Sequence, residues 1–428
     1  MTEAFLQYVW QHQMFIGELA TVDGQPVSVI RTGDLNRDAG PDFFNARMTI
    51  GEMEWAGNVE IHVRASDWNV HRHYKDPVYN NVVLHVVYDY DCDVVLENGK
   101  TLPTLEMRRF LHPSLVANYE SLIAAPEGLT IPCRSRVGEV PTITISTFLE
   151  RLAVERLEAK ADVVLQLLDE CRGGWEQTCY LMMARYFGGK INALPFELLA
   201  KSLDIRTLSR WSDNRQRVEA LLMGQAGFLQ GYYEDDYPRA LQADYEALMS
   251  GLSLHHISED LWRFHRLHPS NFPTIRISQF ADLMSQTKNL FDTLLHYTDA
   301  ADIRRLFGRQ AAPYWDCHYQ FDRMSSGKPV SKRVGTMQAD MLIINAWVPL
   351  LFVYGKQHGQ QCYQDQAIAL LEQIKAENNN KIRTWIEVGI RPANAAESQA
   401  LIQLVDNYCS SRRCLDCRIG YNILKHKC

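Results

Sequence analysis

Apolar and polar residues alternate along much of the first 110 residues, which is the period of β-strands that bury one face. The segment 55–64 shows it most clearly, because Val59 and Ile61 fall on one face while Glu60 and His62 fall on the other. The segment 81–88 is almost continuously apolar, as expected for a strand buried on both faces. The pattern predicts a short helix over 4–14 and strands over 16–22, 26–32, 42–50, 55–64, 81–88, 94–96 and 100–107.

The pattern changes near Pro141, where apolar residues begin to recur at helical spacing. Helical patterns continue to the C-terminus, interrupted only by short Gly- and Pro-containing breaks. Asp23-Gly24 and Asn98-Gly99 predict tight turns that join antiparallel hairpins in the first part. We therefore predict an α+β protein. A mixed α/β domain over residues 1–130 precedes an all-helical region over 141–428, which ends in a basic tail containing cysteines.

The composition narrows the class of protein but does not indicate a function. The chain has 428 residues, 22% of them charged, and a formal charge of −7, which is typical of a globular protein and excludes a broadly basic nucleic-acid binder. No uninterrupted run of 18 apolar residues occurs, so no membrane span is expected. The N-terminus lacks the pattern of a signal peptide, so we expect a cytoplasmic protein whose ten cysteines are thiols or metal ligands.

Two acidic residues stand where neighbouring strands would bring them together. Asp42 opens one predicted strand, and Glu60 and His62 share one face of the next. Two carboxylates on adjacent strands form an oxygen site for a hard divalent cation such as Mg²⁺ or Mn²⁺. Such an ion activates water and offsets charge on a phosphoryl group. The ordinary alternative is a turn aspartate and a solvated strand glutamate.

The order of elements and these residues resemble the core of the PD-(D/E)XK nuclease superfamily. Pro41-Asp42 matches "PD" and Glu60-Ile61-His62 matches "(D/E)XK", with His62 where the family has lysine. The resemblance implies a restriction-endonuclease-like fold and a metal-dependent nuclease. Asp42 and Glu60 would be its metal ligands, His62 would occupy the lysine position, and Glu18 would be an auxiliary carboxylate. The alternative is a non-catalytic interaction or scaffold protein that keeps a degenerate nuclease-like fold.

The whole chain also resembles an uncharacterised bacterial family of unknown function, which implies no activity. The segments that carry this resemblance are Gly33-Asp34-Leu35-Asn36, Gly40-Pro41-Asp42-Phe43, Gly57-Asn58-Val59-Glu60-Ile61-His62, Ser66-Asp67-Trp68 and Asn271-Phe272-Pro273.

Further histidines and basic residues follow the strand 55–64. His71, His73 and His85 could hold zinc with an open fourth position, with Asp76 nearby, and this is the weaker of the two metal hypotheses. The cationic residues interleaved with them suit a phosphate-facing loop instead, so we expect nucleic-acid contacts there. The residues proposed for those contacts are Arg64, Arg72 and Lys75.

The C-terminal tail carries the second candidate site. Cys414 and Cys417 form a C-x₂-C pair, and with Cys409 and Cys428 they could close a structural zinc site. The superfamily resemblance also implies an iron–sulfur cluster as an alternative, with Cys133 in place of Cys428. A third interpretation is a set of reduced cysteines without metal. The tail is basic, which would suit phosphate binding, and no protein partner is indicated by the sequence.

Overall fold

The computed structural model describes residues 1–124, 126, 130–249 and 254–425. It confirms the α+β class, with a mixed sheet near the N-terminus followed by a large helical region. The strands are β1 (Leu19–Ala20), β2 (Pro26–Arg31), β3 (Asp34–Leu35), β4 (Phe43–Ile50), β5 (Met53–Arg64), β6 (Val82–Asp89), β7 (Thr104–Glu106), β8 (His318–Gln320) and β9 (Arg323–Met324).

The main sheet changes from antiparallel to parallel at β5. Its order is β1-β2-β4-β5-β6-β7, with β3 paired to β4. β2, β4 and β5 form an antiparallel meander, whereas β6 runs parallel to β5 and β7 parallel to β6. β5 is buried on both faces at 59–62, as is β6 at 84–87, and among the elements that cover the sheet the helices Glu3–Gln11 and Asp67–Val70 both contact β5.

The second hairpin expected from Asn98-Gly99 is shorter than predicted. Val95 and Thr101 form only an isolated antiparallel bridge around that turn. The residues after it leave the hairpin, and β7 pairs in parallel with β6 instead. The turn signal was therefore correct locally, but the following segment pairs with β6 at the edge of the main sheet and does not extend the hairpin.

The helices dominate the rest of the chain. They are α1 (Glu3–Gln11), α2 (Asp67–Val70), α3 (Pro113–Ile123), α4 (Thr142–Glu170), α5 (Trp175–Phe187), α6 (Gly189–Ser202), α7 (Ile205–Ser209), α8 (Arg215–Gln225), α9 (Asp236–Met249), α10 (Pro273–Gln286), α11 (Leu290–Leu295), α12 (Ala300–Phe307), α13 (Thr336–Leu342), α14 (Val348–Gln357), α15 (Gln361–Glu372), α16 (Asn380–Glu387), α17 (Ala395–Leu404) and α18 (Arg418–Lys425).

The chain divides into two compact units. The first comprises Met1–Phe148, Thr384–Ile390 and Leu404–Cys428, and the second comprises Leu149–Arg383 and Arg391–Gln403. The sequence pattern groups the tail with the helical region, whereas the structure groups it with the sheet. α18 packs against α3 with its apolar side chains buried, and the Asn118 side-chain amide of α3 donates to the carbonyls of Ile423 and Leu424 in α18.

The second unit has a continuous apolar core built from its helices, including the largely buried α5, α8, α10 and α14. Within the described residues, one helical stretch, Thr336–Gln357, is long and apolar enough to cross a membrane. Most of it is buried inside the protein, and this is also typical of core helices. The stretch therefore indicates a core element as readily as a membrane span.

Candidate metal centre

β5 and β6 place three polar side chains on one buried face. Glu60 and His62 alternate along β5, and His85 is the register partner of Glu60 on β6. They are 5%, 1% and 0% exposed, respectively. His62 Nδ1 and His85 Nε2 lie 2.9 Å apart and share a hydrogen bond. This face of the sheet thus carries a buried carboxylate and two buried imidazoles, which require polar partners.

A sharp turn after β5 adds two more imidazoles. α2 ends at Val70, and Arg72 adopts a left-handed conformation with φ of 63° before the chain turns into a short 3₁₀-helix. A non-glycine residue rarely occupies this region, and here it sits between His71 and His73. His71 Nδ1 lies 3.0 Å from His62 Nε2, and His73 Nε2 lies 3.3 Å from Glu60 Oε1.

These four side chains converge. The ligand atoms of the three histidines all lie within 4.8 Å of one another, and Glu60 Oε1 is 3.6 Å from His62 Nε2. Two nitrogens bonded to one tetrahedral ion at 2.0–2.1 Å lie about 3.3 Å apart, so the spacing fits ligands of a single ion. We call the set of Glu60, His62, His71 and His73 the imidazole–carboxylate cluster.

His73 gives an independent sign that the cluster lacks a partner. Its ring packs on Tyr79, with centroids 3.8 Å apart, and lies at 5.3 Å from Trp68. His73 Nε2 is buried and makes no hydrogen bond of normal geometry among the described residues, although Glu60 Oε1 lies 3.3 Å from it. Since buried polar atoms are nearly always satisfied, an ion between His73 Nε2 and Glu60 Oε1 would complete the site.

The buried imidazoles are in the protonation state that metal ligation requires. Burial, reinforced by neighbouring histidines, lowers the pKa of His62 to about 2. Burial likewise lowers the pKa of His85 to about 3. Neutral imidazole supplies the lone pair that binds a metal. A lone pair on His62 Nε2 leaves the ring proton on Nδ1, which then donates to His85, so His85 orients His62.

Asp42 lies beside Glu60, because β4 pairs with β5. The Asp42 backbone N–H donates to Glu60 Oε2 at 3.0 Å, and Asp42 Oδ2 accepts from the Ile61 N–H at 2.9 Å. Asp42 Oδ1 accepts from the Gln7 side-chain amide at 2.8 Å. Burial, and then the charge of Glu60, raise the pKa of Asp42 to about 7. One oxygen of Glu60 is thereby anchored while the other faces the imidazoles.

Helix α1 contributes two polar residues that the sequence analysis did not single out. Gln7 bonds to Asp42, and Glu3 is close enough that His71 and His73 affect its pKa, which burial raises overall. Glu3 and Gln7 are four residues apart and therefore share one helix face. This spacing was the signal in the sequence that could have identified the two residues. It points to the site only because α1 packs against β5.

A groove opens on the Asp42 side of the site. It has a volume of about 810 Å³ and is bounded by α1, the loop before β4 and the tail. Arg37, Arg412 and Arg413 line it, together with Asp38, Asp42 and Asp416. Arg413 and Arg37 both approach Asp416, at 2.8 and 4.0 Å. We call this space the tail groove; its charged residues are balanced in sign.

The remaining predicted residues lie around the cluster or elsewhere. Arg64, Arg72 and Lys75 are exposed, Arg64 at the end of β5 and the other two flanking His73. Glu18 is exposed and lines a different cavity, with Gln13 and Phe15, in which none of the cluster residues takes part. Asp76 caps the 3₁₀-helix Pro77–Asn81 by accepting from the Val78 N–H.

The cysteines form a second cluster in the same unit. Cys133, Cys409, Cys414 and Cys417 line one small cavity, and we call them the cysteine cluster. The position Cys428, which the sequence analysis proposed as the fourth ligand, lies outside the described residues.

Comparison with known proteins gives a family and no function. A family described as "Protein of unknown function (DUF2851)" matches residues 3–380, so the chain belongs to that family. No curated protein and no solved structure matches the chain significantly.

Proposed function

We propose that this member of a family without known function is a metal-dependent hydrolase of phosphodiesters, a nuclease, with its ion held by the imidazole–carboxylate cluster. The observation that carries the proposal is the spacing of that cluster. Nitrogens of His62 and His71 lie 3.0 Å apart, and Glu60 Oε1 lies within 3.6 Å of both His62 and His73. Separations of this size are those of donors around one ion.

The donor set favours particular metals. Three imidazoles and one carboxylate oxygen suit Zn²⁺ or Mn²⁺ better than Mg²⁺, which prefers oxygen ligands. The Mg²⁺ site expected from Asp42 and Glu60 remains a second hypothesis, because the two residues are neighbours. A bound ion would lower the pKa of a coordinated water and offset phosphoryl charge.

The protein's own residues would orient the ion and the substrate. The Asp42 N–H holds Glu60 in place, and His85 holds the ring of His62. His71 is exposed, so the centre is reachable from solvent, as a catalytic site requires. Arg64, Arg72 and Lys75 are exposed near the end of β5 and in the following turn, where they could contact phosphates.

The order of elements supports a phosphodiester rather than another substrate. α1, the antiparallel β2-β4-β5 meander and the parallel β6 follow the order that the PD-(D/E)XK resemblance implies. Asp42 and Glu60, which are neighbours, would correspond to its two acidic residues, and Asp42 also lines the tail groove.

The non-catalytic alternative has one specific observation in its favour. His62 stands where the superfamily has lysine, and its low pKa means that it carries no positive charge near neutral pH. A site without that cation would stabilise a phosphoryl transition state less well. A protein that binds nucleic acid or a partner without cleaving it would have the same fold.

The test is a nuclease assay on single- and double-stranded DNA and RNA with Mg²⁺, Mn²⁺ or Zn²⁺. We expect cleavage by the wild type that falls more than about 100-fold in Glu60→Gln, because a ligand should matter more than its supporting residues. The matched control is Glu52→Gln, an exposed glutamate at the β4–β5 turn, about 26 Å away along the extended strand. Equal cleavage by wild type and Glu60→Gln, or none by either, would contradict the proposal and favour the non-catalytic role.

A further inference from the structure

The cysteine cluster joins segments that are far apart in the chain. Cys133 follows α3, whereas Cys409, Cys414 and Cys417 lie between α17 and α18 near the other end. All four line the same cavity. Cys133, Cys409 and Cys417 are buried, and Cys414 is half-buried. Burial of a single cysteine is common. Four thiols from two distant segments that line one cavity are instead the arrangement of a thiolate metal site.

The local backbone is shaped to bring the thiols together. The helix α17 continues into a π-helical turn at Val405–Cys409, in which the Ser410 N–H donates to the Val405 carbonyl. Such turns redirect side chains and are frequent at functional sites. The Cys417 N–H donates to the Cys414 carbonyl at 3.3 Å, closing the C-x₂-C loop.

Gly420 allows α18 to approach that loop closely. A Cβ at this position would lie 2.1 Å from the Cys414 carbonyl oxygen, so only glycine fits. The loop is therefore held tightly between the π-helical turn and α18. A motif that serves only as an exposed connection would not require this close contact.

We propose that Cys133, Cys409, Cys414 and Cys417 bind a metal centre through four thiolates and so fasten the tail to the first unit. Cys133, rather than Cys428, is assigned as the fourth ligand. The chemistry is that of soft thiolate ligands, which a zinc ion and an iron–sulfur cluster share.

The sulfur atoms of the four thiols are not spaced as the ligands of a single ion would be. Among the described residues, the three histidines form the set whose ligand atoms lie mutually within 4.8 Å, and no three of these sulfurs lie that close together. Sulfurs on one zinc ion lie about 3.8 Å apart. Binding of a single zinc ion would therefore draw the sulfurs closer together than they lie in this structure. Burial, followed by the neighbouring thiols, raises the pKa of Cys133 to about 12, so without metal its thiol is neutral, and metal binding would release its proton.

Fastening the tail has a consequence for the tail groove. Arg412, Arg413 and Asp416, which form one wall of that groove, lie between Cys409 and Cys417 in the sequence. Metal at the cysteine cluster would hold this wall in place. The proposal itself does not depend on the proposed nuclease activity.

The test is metal analysis of the full-length protein purified without oxygen, combined with visible absorption and sulfide determination. We expect about one zinc, or about four irons and four sulfides, per chain beyond the metal that Cys133→Ser retains. Zinc and iron–sulfur are distinguished by sulfide and colour, and either supports the site. The matched control, Cys362→Ser, alters an exposed cysteine of the second unit and should retain all metal.

Two results would overturn the proposal. One is a wild type that binds no metal in excess of Cys133→Ser, even after reconstitution with zinc or with iron and sulfide. The other, which needs no variant, is equal alkylation of the four thiols before and after treatment with a chelator; we expect all four to become more reactive after it. His73→Ala should leave this metal unchanged, which separates a failure here from a failure of the proposed nuclease centre.

Discussion

The imidazole–carboxylate cluster and the cysteine cluster lie in the same unit but are built differently. The first stands on two neighbouring strands and one turn, its atoms are already spaced for one ion, and His71 is exposed. The second joins Cys133 to the segment 409–417, is mostly buried, and has no three of its sulfurs within 4.8 Å of one another. An open, preformed site suits catalysis, whereas a closed site that forms on metal binding suits fastening of the chain.

We expect the largest effect, a loss of metal affinity, when a ligand of the imidazole–carboxylate cluster is removed. His73→Ala removes the ring whose Nε2 makes no hydrogen bond of normal geometry among the described residues and lies 3.3 Å from Glu60 Oε1. We expect Zn²⁺ or Mn²⁺ affinity, measured by calorimetry, to fall more than about 100-fold. The control is His296→Ala, an exposed histidine whose Nδ1 contacts only the carbonyl of its own helix. An unchanged affinity in His73→Ala would remove this cluster from consideration.

The cysteine cluster should lose stability and metal when the close packing of α18 against it is disturbed. In Gly420→Ala the new methyl group meets the Cys414 carbonyl, so we expect unfolding free energy to fall by about 2 kcal/mol and metal content to fall with it. Urea denaturation measures the first quantity. Gly138→Ala is the control, since a Cβ at that exposed glycine of the same unit meets nothing within 4 Å. Equal stability of the two variants would show that the close contact is unimportant.

A smaller effect should appear at the residue that orients a ligand. His85→Ala removes the partner of His62 Nδ1, and we expect metal affinity to fall by about tenfold, with partial rescue in His85→Gln because its amide oxygen can reach the position of His85 Nε2 and accept the same hydrogen bond. Wild-type affinity in His85→Ala would mean that His62 is held by packing alone. Circular dichroism checks that the buried substitution leaves the fold intact.

The smallest effect concerns a buried charge that no metal stabilises. In the second unit the Lys160 ammonium donates to the Ile344 carbonyl and to the side chains of Asn345 and Gln399. Burial, followed by the charge of Arg156, lowers its pKa from 10.5 to about 7. Between these values the unfolded state holds the proton that the folded state has lost, so stability rises with pH.

We expect the free energy of unfolding to rise by about 1 kcal/mol more in the wild type than in Lys160→Met between pH 7 and 8.5. Denaturation at both pH values measures it, with Lys356→Met as the exposed control. Identical pH dependence in all three proteins would show that Lys160 keeps its proton on folding. Lys160 would thus show how burial alone changes a pKa, whereas at the two proposed metal sites burial would act together with metal binding.

The sequence predicted those parts of the fold that depend on local periodicity. The alternation along β5 placed Glu60 and His62 on one face, and the apolar run of β6 indicated a strand buried on both sides. The second hairpin was predicted incorrectly beyond its turn, because the choice of partner for β7 depends on the rest of the sheet. Periodicity specifies which face a residue occupies but not which strand lies beside it.

The candidate sites, like the fold, could be predicted from the sequence only where they depend on local features. Asp42 and Glu60 could be paired from the sequence, since their strands are consecutive. His71 and His73 were grouped from the sequence with His85 as possible zinc ligands. Their convergence on His62 could not be predicted, because it depends on the left-handed conformation of Arg72. Cys133 was available only as an alternative ligand, since nothing local indicates that the loop after α3 meets the tail. Contacts between distant segments are decided by packing, which a single sequence does not display.

The most direct test of the central claim is a crystal structure of the protein grown with Mn²⁺, with the ion located by its anomalous scattering. The account predicts a peak about 2.0–2.2 Å from Glu60 Oε1 and from nitrogens of the three cluster histidines, with at least one position open to water. A map with no peak there, or a peak bound by Asp42 and Glu60 without any imidazole, would contradict it.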